Sequence, residues 1–225
     1  METAAAAEEK EGWRLAAWVA VVSLMIAGAY AGRLLVDDPV DDPLYRYSTA
    51  VNGIVIYAFL LGILLLIGIR LPKRRFFALR RPERWGRALG LAAAAYTTIF
   101  IGAGAILVAL DAGDEQGLTP DAWQPDKLGP YAANFVAVAF VGPVVEELMY
   151  RGAGLTLLER FGAPAAVLVT GLAFGLAHGL FLALPALVLF GLVTAWLRLR
   201  TDSVYPSMLV HVAFNATSLI VSVAA

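Results

Sequence analysis

Glu146 and Glu147 stand side by side in an apolar run, Glu146-Glu147-Leu148-Met149-Tyr150-Arg151. They are the only carboxylates placed within a stretch apolar enough to span a membrane. An ionisable side chain at such depth is costly unless it is paired or hydrated, and its default reading is functional. The chain has two histidines, His178 and His211, and both lie in apolar segments that read as helix. One sits in Phe174-Gly175-Leu176-Ala177-His178, the other opens His211-Val212-Ala213-Phe214-Asn215. Carboxylates and imidazoles are the groups that carry protons in general acid–base chemistry. Such groups drawn from three separate spans, with few other polar residues nearby, mark a candidate active site.

Helical spacing assigns faces to these residues. Neighbouring helical positions point about 100° apart, so Glu146 and Glu147 cannot address the same spot. Glu147 and Arg151 lie four residues apart and stack on one face as a natural ion pair. Arg151 then neutralises one carboxylate and leaves Glu146 to face the bundle interior. His211 shares a face with Asn215, and Phe174 with His178, by the same spacing. Gly171, Ala173, Gly175, Ala177 and Gly179 let another helix approach closely. A single buried histidine, or one Glu–Arg pair, is more often structural, and Phe174 alone reads as packing. Two glutamates, two histidines and an asparagine together are a different matter, because a membrane protein gains little by burying them for structure alone.

The elements that must position these groups follow from composition. Of 225 residues, 60% are hydrophobic and 16% charged, against about 25% charged in a soluble domain. The fold class expected is all-α, a polytopic transmembrane helical bundle. A span needs about 20 apolar residues, and candidates fall near 14–36, 50–70, 88–110, 131–151, 164–181, 183–199 and 206–224, about seven in all. The fifth and sixth are short and meet at a Gly/Pro-marked junction from Gly179 to Pro185. Glu2, Glu8, Glu9 and Glu11 outnumber Lys10 and Arg14 ahead of the first span. A signal peptide would have a basic leader there, so the segment reads as a retained helix. With no cysteine in the chain, neither thiolate chemistry nor a cysteine-ligated zinc is available.

Loop charges set the orientation. Arg70, Lys73, Arg74, Arg75, Arg80, Arg81, Arg84 and Arg87 crowd one loop, against Glu83 alone. The positive-inside rule places that loop in the cytoplasm, and Arg160, Arg198 and Arg200 fall on the same side by parity. Acidic loops carrying Asp37, Asp38, Asp41 and Asp42, and then Asp111, Asp114, Glu115, Asp121 and Asp126, go outside. The basic loop reads as a topology determinant in contact with anionic lipid, not as a nucleic-acid patch. If the fourth helix continues to about Arg160, Glu146 lies roughly 22 Å from either end. His178 comes at a similar rise, and His211 at roughly 16 Å, so the three depths permit a meeting.

The ordered motifs Glu146-Glu147-x-x-x-Arg151-Gly152, Phe174-x-x-x-His178 and His211-x-x-x-Asn215 resemble those of the CAAX protease and bacteriocin-processing (CPBP, or Abi) family of intramembrane proteases. The similarity covers roughly 131–220. It divides the chain into an N-terminal three-span region with the basic loop, 1–130, and a catalytic helical core, 131–225. The resemblance implies hydrolysis of peptide bonds in membrane-associated protein or peptide substrates, within a multi-pass protein of the cell membrane whose site opens to the cytoplasm. Eukaryotic members trim prenylated CAAX proteins; other members have other substrates, and the short loops here are like those of prokaryotic ones.

Under that resemblance Glu146 is the general base, and His178 holds or co-activates the water. His211 and Asn215 donate hydrogen bonds to the oxyanion, while Glu147, Arg151 and Phe174 support them. The same Glu146, His178 and His211 would serve as three ligands of a divalent metal such as zinc, with water in the fourth place, and both mechanisms stay open. A non-catalytic scaffold or bacteriocin-immunity factor that binds peptides or partner helices is the rival class. Intact motif positions favour the enzyme. A proton or ion pathway would need polar residues at several depths, and outward of the site only Tyr96, Thr97 and Thr98 offer them.

Overall fold

The computed structural model describes residues 2–35, 41–120 and 122–224, and for residues 2–11 the backbone only. Asp37, Asp38 and Asp121, assigned above to outside loops, lie outside the described residues. Among those described there is no strand. The helices are α1 (Glu2–Leu35), α2 (Tyr47–Ile67), the short α3 (Lys73–Phe76) and α4 (Trp85–Ala109). A continuous helical run, Pro125–Phe161, is α5. It is followed by α6 (Ala163–Leu176), α7 (Leu184–Thr201) and α8 (Tyr205–Ala224).

Six of these, from α1 to α8 without α3 and α6, are long and apolar enough to cross a membrane. The fifth expected span is shorter than its apolar stretch suggested. Its helix stops after 14 residues at Leu176, a rise of about 21 Å against a hydrocarbon core of about 30 Å. A non-helical turn then leads to α7. In that turn Gly179 adopts φ +65°, and a Cβ there would meet the backbone of Ala29 on α1 at 2.8 Å. The positive φ and the close approach both require glycine. Pro185 in the first turn of α7 restarts the helix, as the Gly179–Pro185 junction suggested.

Two chemically distinct ends result. At one, Arg14 donates to the Ile67 carbonyl, Val204 N–H to Ala78, and Arg80 pairs with Asp202 at 2.7 Å. At the other, Arg33 pairs with Glu115 at 3.5 Å. Glu115 also accepts the N–H groups of Phe181 and Ala183 at 2.8 and 2.6 Å, so it clasps the α6–α7 turn. Burial pushes the Glu115 carboxyl up, but donation from Ala183, Phe181 and Leu182 and the Arg33 charge outweigh it and hold it below its ordinary value.

Close packing in the C-terminal half rests on small residues, as expected where helix association depends on contact rather than exclusion of water. A Cβ on Gly191 of α7 would meet the Gly171 carbonyl of α6 at 2.5 Å. One on Gly175 would meet Val188 at 2.7 Å. The main core gathers Trp18, Leu64, Ile99, Met149, Tyr150, Phe174 and Phe190. Trp18 ties α1 to α5 by donating its indole N–H to the Met149 carbonyl at 3.0 Å.

Candidate active site

The two glutamates lie at the end of a short α-helical stretch of α5, Gly142–Glu147. A π-helical turn precedes it at Ala137–Val141 and another follows at Leu148–Gly154. Such turns insert an extra residue, so they rotate the following side chains relative to a regular helix, and they concentrate at functional sites. Here they bracket the glutamates and leave backbone carbonyls for outside donors. Asn215 donates to Val138 in the first turn at 2.9 Å, and Trp18 to Met149 in the second.

Glu147 is enclosed. Its side chain and that of Arg151 are both fully buried, and they pair at 3.2 Å across one helical turn. His211 Nδ1 hydrogen-bonds the same Glu147 oxygen at 3.1 Å. A carboxylate only accepts, so this bond fixes the proton on Nδ1 and directs Nε2 elsewhere. Arg151 reaches across to α7, donating to the Gly191 carbonyl at 3.2 Å and to the Thr194 hydroxyl. Its guanidinium lies 4.5 Å from the centre of the Phe174 ring, a cation–π contact in a desolvated setting.

Glu146 is turned the other way. Its side chain keeps 14% of its exposure, and the Tyr57 hydroxyl of α2 donates to Oε1 at 2.7 Å. The approach of Tyr57 depends on Gly142, where a Cβ would sit 2.8 Å from that hydroxyl. The second oxygen, Oε2, lies 3.7 Å from His211 Nε2. That is beyond a direct hydrogen bond and close enough for one small polar species to touch both.

The remaining residues are arranged around aromatic rings. Phe174 lies 4.8 Å from the His178 ring and 5.6 Å from the His211 ring, centre to centre. His178 Nδ1 bonds the Phe174 carbonyl at 2.8 Å rather than a glutamate. The carbonyl can only accept, so Nδ1 carries the proton and Nε2 presents its lone pair. Phe190 packs on His211 at 4.6 Å and stacks on Phe174 at 5.3 Å.

The donor set does not fit a metal. Among the described residues no three His, Asp or Glu side chains form a group able to hold an ion. Glu147 is committed to Arg151 and His211, and His178 Nδ1 to the Phe174 carbonyl. No step below is routed through a metal.

Two partners escaped the sequence reading. Tyr57 is separated from Glu146 by 89 residues; its one signal was a hydroxyl in mid-span rather than at the interfacial level where tyrosine collects. Tyr150 has its hydroxyl buried with no protein partner, although it stands within the motif itself.

Apolar helices of spanning length, with no strand among the described residues, make this a multi-pass membrane protein of the polytopic helical class. Residues 128–217 match the family model for Type II CAAX prenyl endopeptidase Rce1-like proteins. That segment is similar to this family over its matched length and holds every motif residue from Glu146 to Asn215. The match supports an intramembrane endopeptidase as the kind of protein. No curated protein and no solved structure matches the chain.

Proposed function

We propose that this protein hydrolyses peptide bonds in membrane-associated substrates, with Glu146 as the general base. The observation that carries this reading is the separation of two adjacent carboxylates. Glu147 is closed off by Arg151 and His211, while Glu146 is held by a single hydroxyl and stays accessible.

Glu146 Oε2 takes a proton from the attacking water, and His178 Nε2 accepts the other water hydrogen as a bond to hold it in line. The water oxygen bonds to the scissile carbonyl carbon, and the carbonyl oxygen becomes an oxyanion. His211, held through Nδ1–H on Glu147, donates from Nε2 to that oxygen when it carries both ring protons. Asn215 gives its second amide N–H, the first being used on Val138. Preorganised donors of this kind are often the largest single contribution to catalysis. The carbon–nitrogen bond then breaks, and the proton held by Glu146 passes to the leaving amine. Glu147, Arg151 and Phe174 touch no reacting atom; they set the tautomer and tilt of His211. Tyr57 occupies Oε1 and so presents Oε2 to the water.

The site opens to the cytoplasm in this reading, because the end of the bundle that carries Arg75, Arg80 and Arg160 is the one the positive-inside rule retains there. The substrates are membrane-bound proteins or peptides, prenylated ones included. The test is cleavage of paired prenylated and unmodified peptides by protein reconstituted in vesicles, with products identified by mass. Cleavage of either peptide supports the reading if Glu146→Gln abolishes it. Cleavage that persists in that variant removes Glu146 as the base.

A further inference from the structure

We propose that a cleft at the basic end of the bundle binds the phosphate of an anionic phospholipid headgroup. The cleft holds about 430 Å³ and is walled by arginines from separate parts of the chain: Arg14 of α1, Arg75 of α3, Arg80 beyond it, Arg160 of α5 and Arg198 of α7. One carboxylate, Glu159, lines it. A second, Asp202, reaches Arg80 from outside. Glu159 pairs with Arg198 and Asp202 with Arg80, and among the described residues no ion pair engages Arg75 or Arg160.

The deepest of these is Arg198, only 2% exposed. It spends one nitrogen on Glu159 at 2.5 Å and another on Thr156 at 3.0 Å. Its Nε is buried with no protein partner. A buried donor left in that state is destabilising, and an acceptor oxygen in the cleft offsets it. Guanidinium forks match phosphate oxygens in shape as well as charge, and several cations around one concavity focus their field into it.

The rest of the wall selects the source of the phosphate. Leu71, Phe76 and Leu157 give the cleft an apolar side, and it lies where α2 and α5 reach the ends of their apolar runs. That is headgroup level in a bilayer. A lipid satisfies both surfaces at once, phosphate on arginine and glycerol and upper acyl carbons on the apolar side, whereas free phosphate uses only the first. Anionic lipids also surround the basic faces of membrane proteins at high local concentration. Topology alone does not account for the arrangement, since loop charges direct insertion without any cleft.

The molecule supplies its own control. A neighbouring cleft of about 480 Å³ is lined by Arg81, Arg84, Arg87 and Arg200, but with Glu83 and Asp202 among them and a smaller apolar wall of Pro82, Ala88 and Leu91. The experiment measures thermal unfolding of the full chain in nanodiscs of phosphatidylcholine, with and without phosphatidylglycerol, and counts retained lipid by native mass spectrometry. Phosphatidylglycerol should raise the wild-type midpoint by roughly 5 °C. The shift and the retained lipid should vanish in Arg75→Gln/Arg160→Gln, whose side chains are exposed. Both should survive in Arg81→Gln/Arg84→Gln. Inorganic phosphate added to phosphatidylcholine discs should give no comparable shift. The proposal is overturned by no shift in the wild type, or by equal loss in both double variants, which would mean bulk charge attraction. A full shift with inorganic phosphate alone overturns it in favour of a soluble anion. None of these outcomes depends on peptidase activity.

Discussion

The two faces of α5 at its midpoint carry the same chemical group and treat it in opposite ways. On one, Glu147 is sealed at zero exposure between Arg151 and His211. On the other, one residue earlier in sequence and about 100° around the helix, Glu146 has a single neutral donor, Tyr57, and remains accessible. A charge sealed with its counter-ion is a fixed part of the framework, since removing either partner strands the other. A charge held by one hydroxyl can change partner when a substrate arrives. The difference teaches that adjacency in sequence divides the two environments here: the closed carboxylate holds the His211 imidazole, and the open one stays accessible.

Several substitutions would break or sharpen that contrast. The largest expected effect is on Arg151→Ala, which leaves Glu147 charged and buried. Loss of a buried partner costs roughly 3–5 kcal/mol, read as thermal stability in detergent, and activity should fall with it. Adding Glu147→Gln should recover part of the stability, although Gly191 and Thr194 still lack their donor. Simple additivity of the two single effects would show that the residues are not coupled. Next comes Glu146→Gln, with at least about a hundredfold loss of cleavage, near 3 kcal/mol of barrier, and a melting temperature close to wild type. Glu146 lies outside the sealed ion pair, so the two variants should separate stability from activity.

Gly191→Val would force a side chain against the Gly171 carbonyl and should lower stability by about 1–3 kcal/mol through overpacking. Tyr57→Phe removes one hydrogen bond to a carboxylate, and roughly a tenfold loss in turnover should follow with little change in stability. Unchanged turnover would mean that Tyr57 does not orient Glu146. Exhaustive chelation should leave cleavage intact, and about one zinc per chain, lost and restored with activity, would contradict the donor geometry. The smallest effect concerns the Glu115 clasp. Its folded value lies below the ordinary one, so its contribution is present above the unfolded value and lost as pH falls through the folded one. The α6–α7 turn should loosen at acid pH, seen as faster hydrogen exchange at residues 181–183. In Glu115→Gln that exchange should already be fast at neutral pH.

The Glu147–Arg151 pair and the shared faces of Phe174 with His178 and His211 with Asn215 were legible because helix periodicity places i and i+4 together. The multi-pass helical class was legible from apolar run length, although seven spans were expected and six helices are long enough to cross. Tyr57 was not, since its bond to Glu146 depends on how α2 packs against α5, and nothing local encodes that. Neither were the π-turns, because Ala137–Val141 and Leu148–Gly154 have the same apolar character as the α-helix around them. The Gly179–Pro185 junction marked the break between α6 and α7, but the end of α6 as early as Leu176 was hidden in a run whose hydropathy continues through Leu180 and Phe181. Arg198 and Arg160 were read as topology markers. That Arg198 is buried against Glu159 and Thr156 is a tertiary fact with no signature in spacing.

The most direct measurement compares the termini of membrane-associated proteins in cells carrying the wild type, Glu146→Gln and Tyr57→Phe at matched protein levels. Hydrolysis with Glu146 as base requires a set of cleaved termini in the wild type that is absent from Glu146→Gln and reduced in Tyr57→Phe. An identical set of termini in the wild type and Glu146→Gln would contradict it.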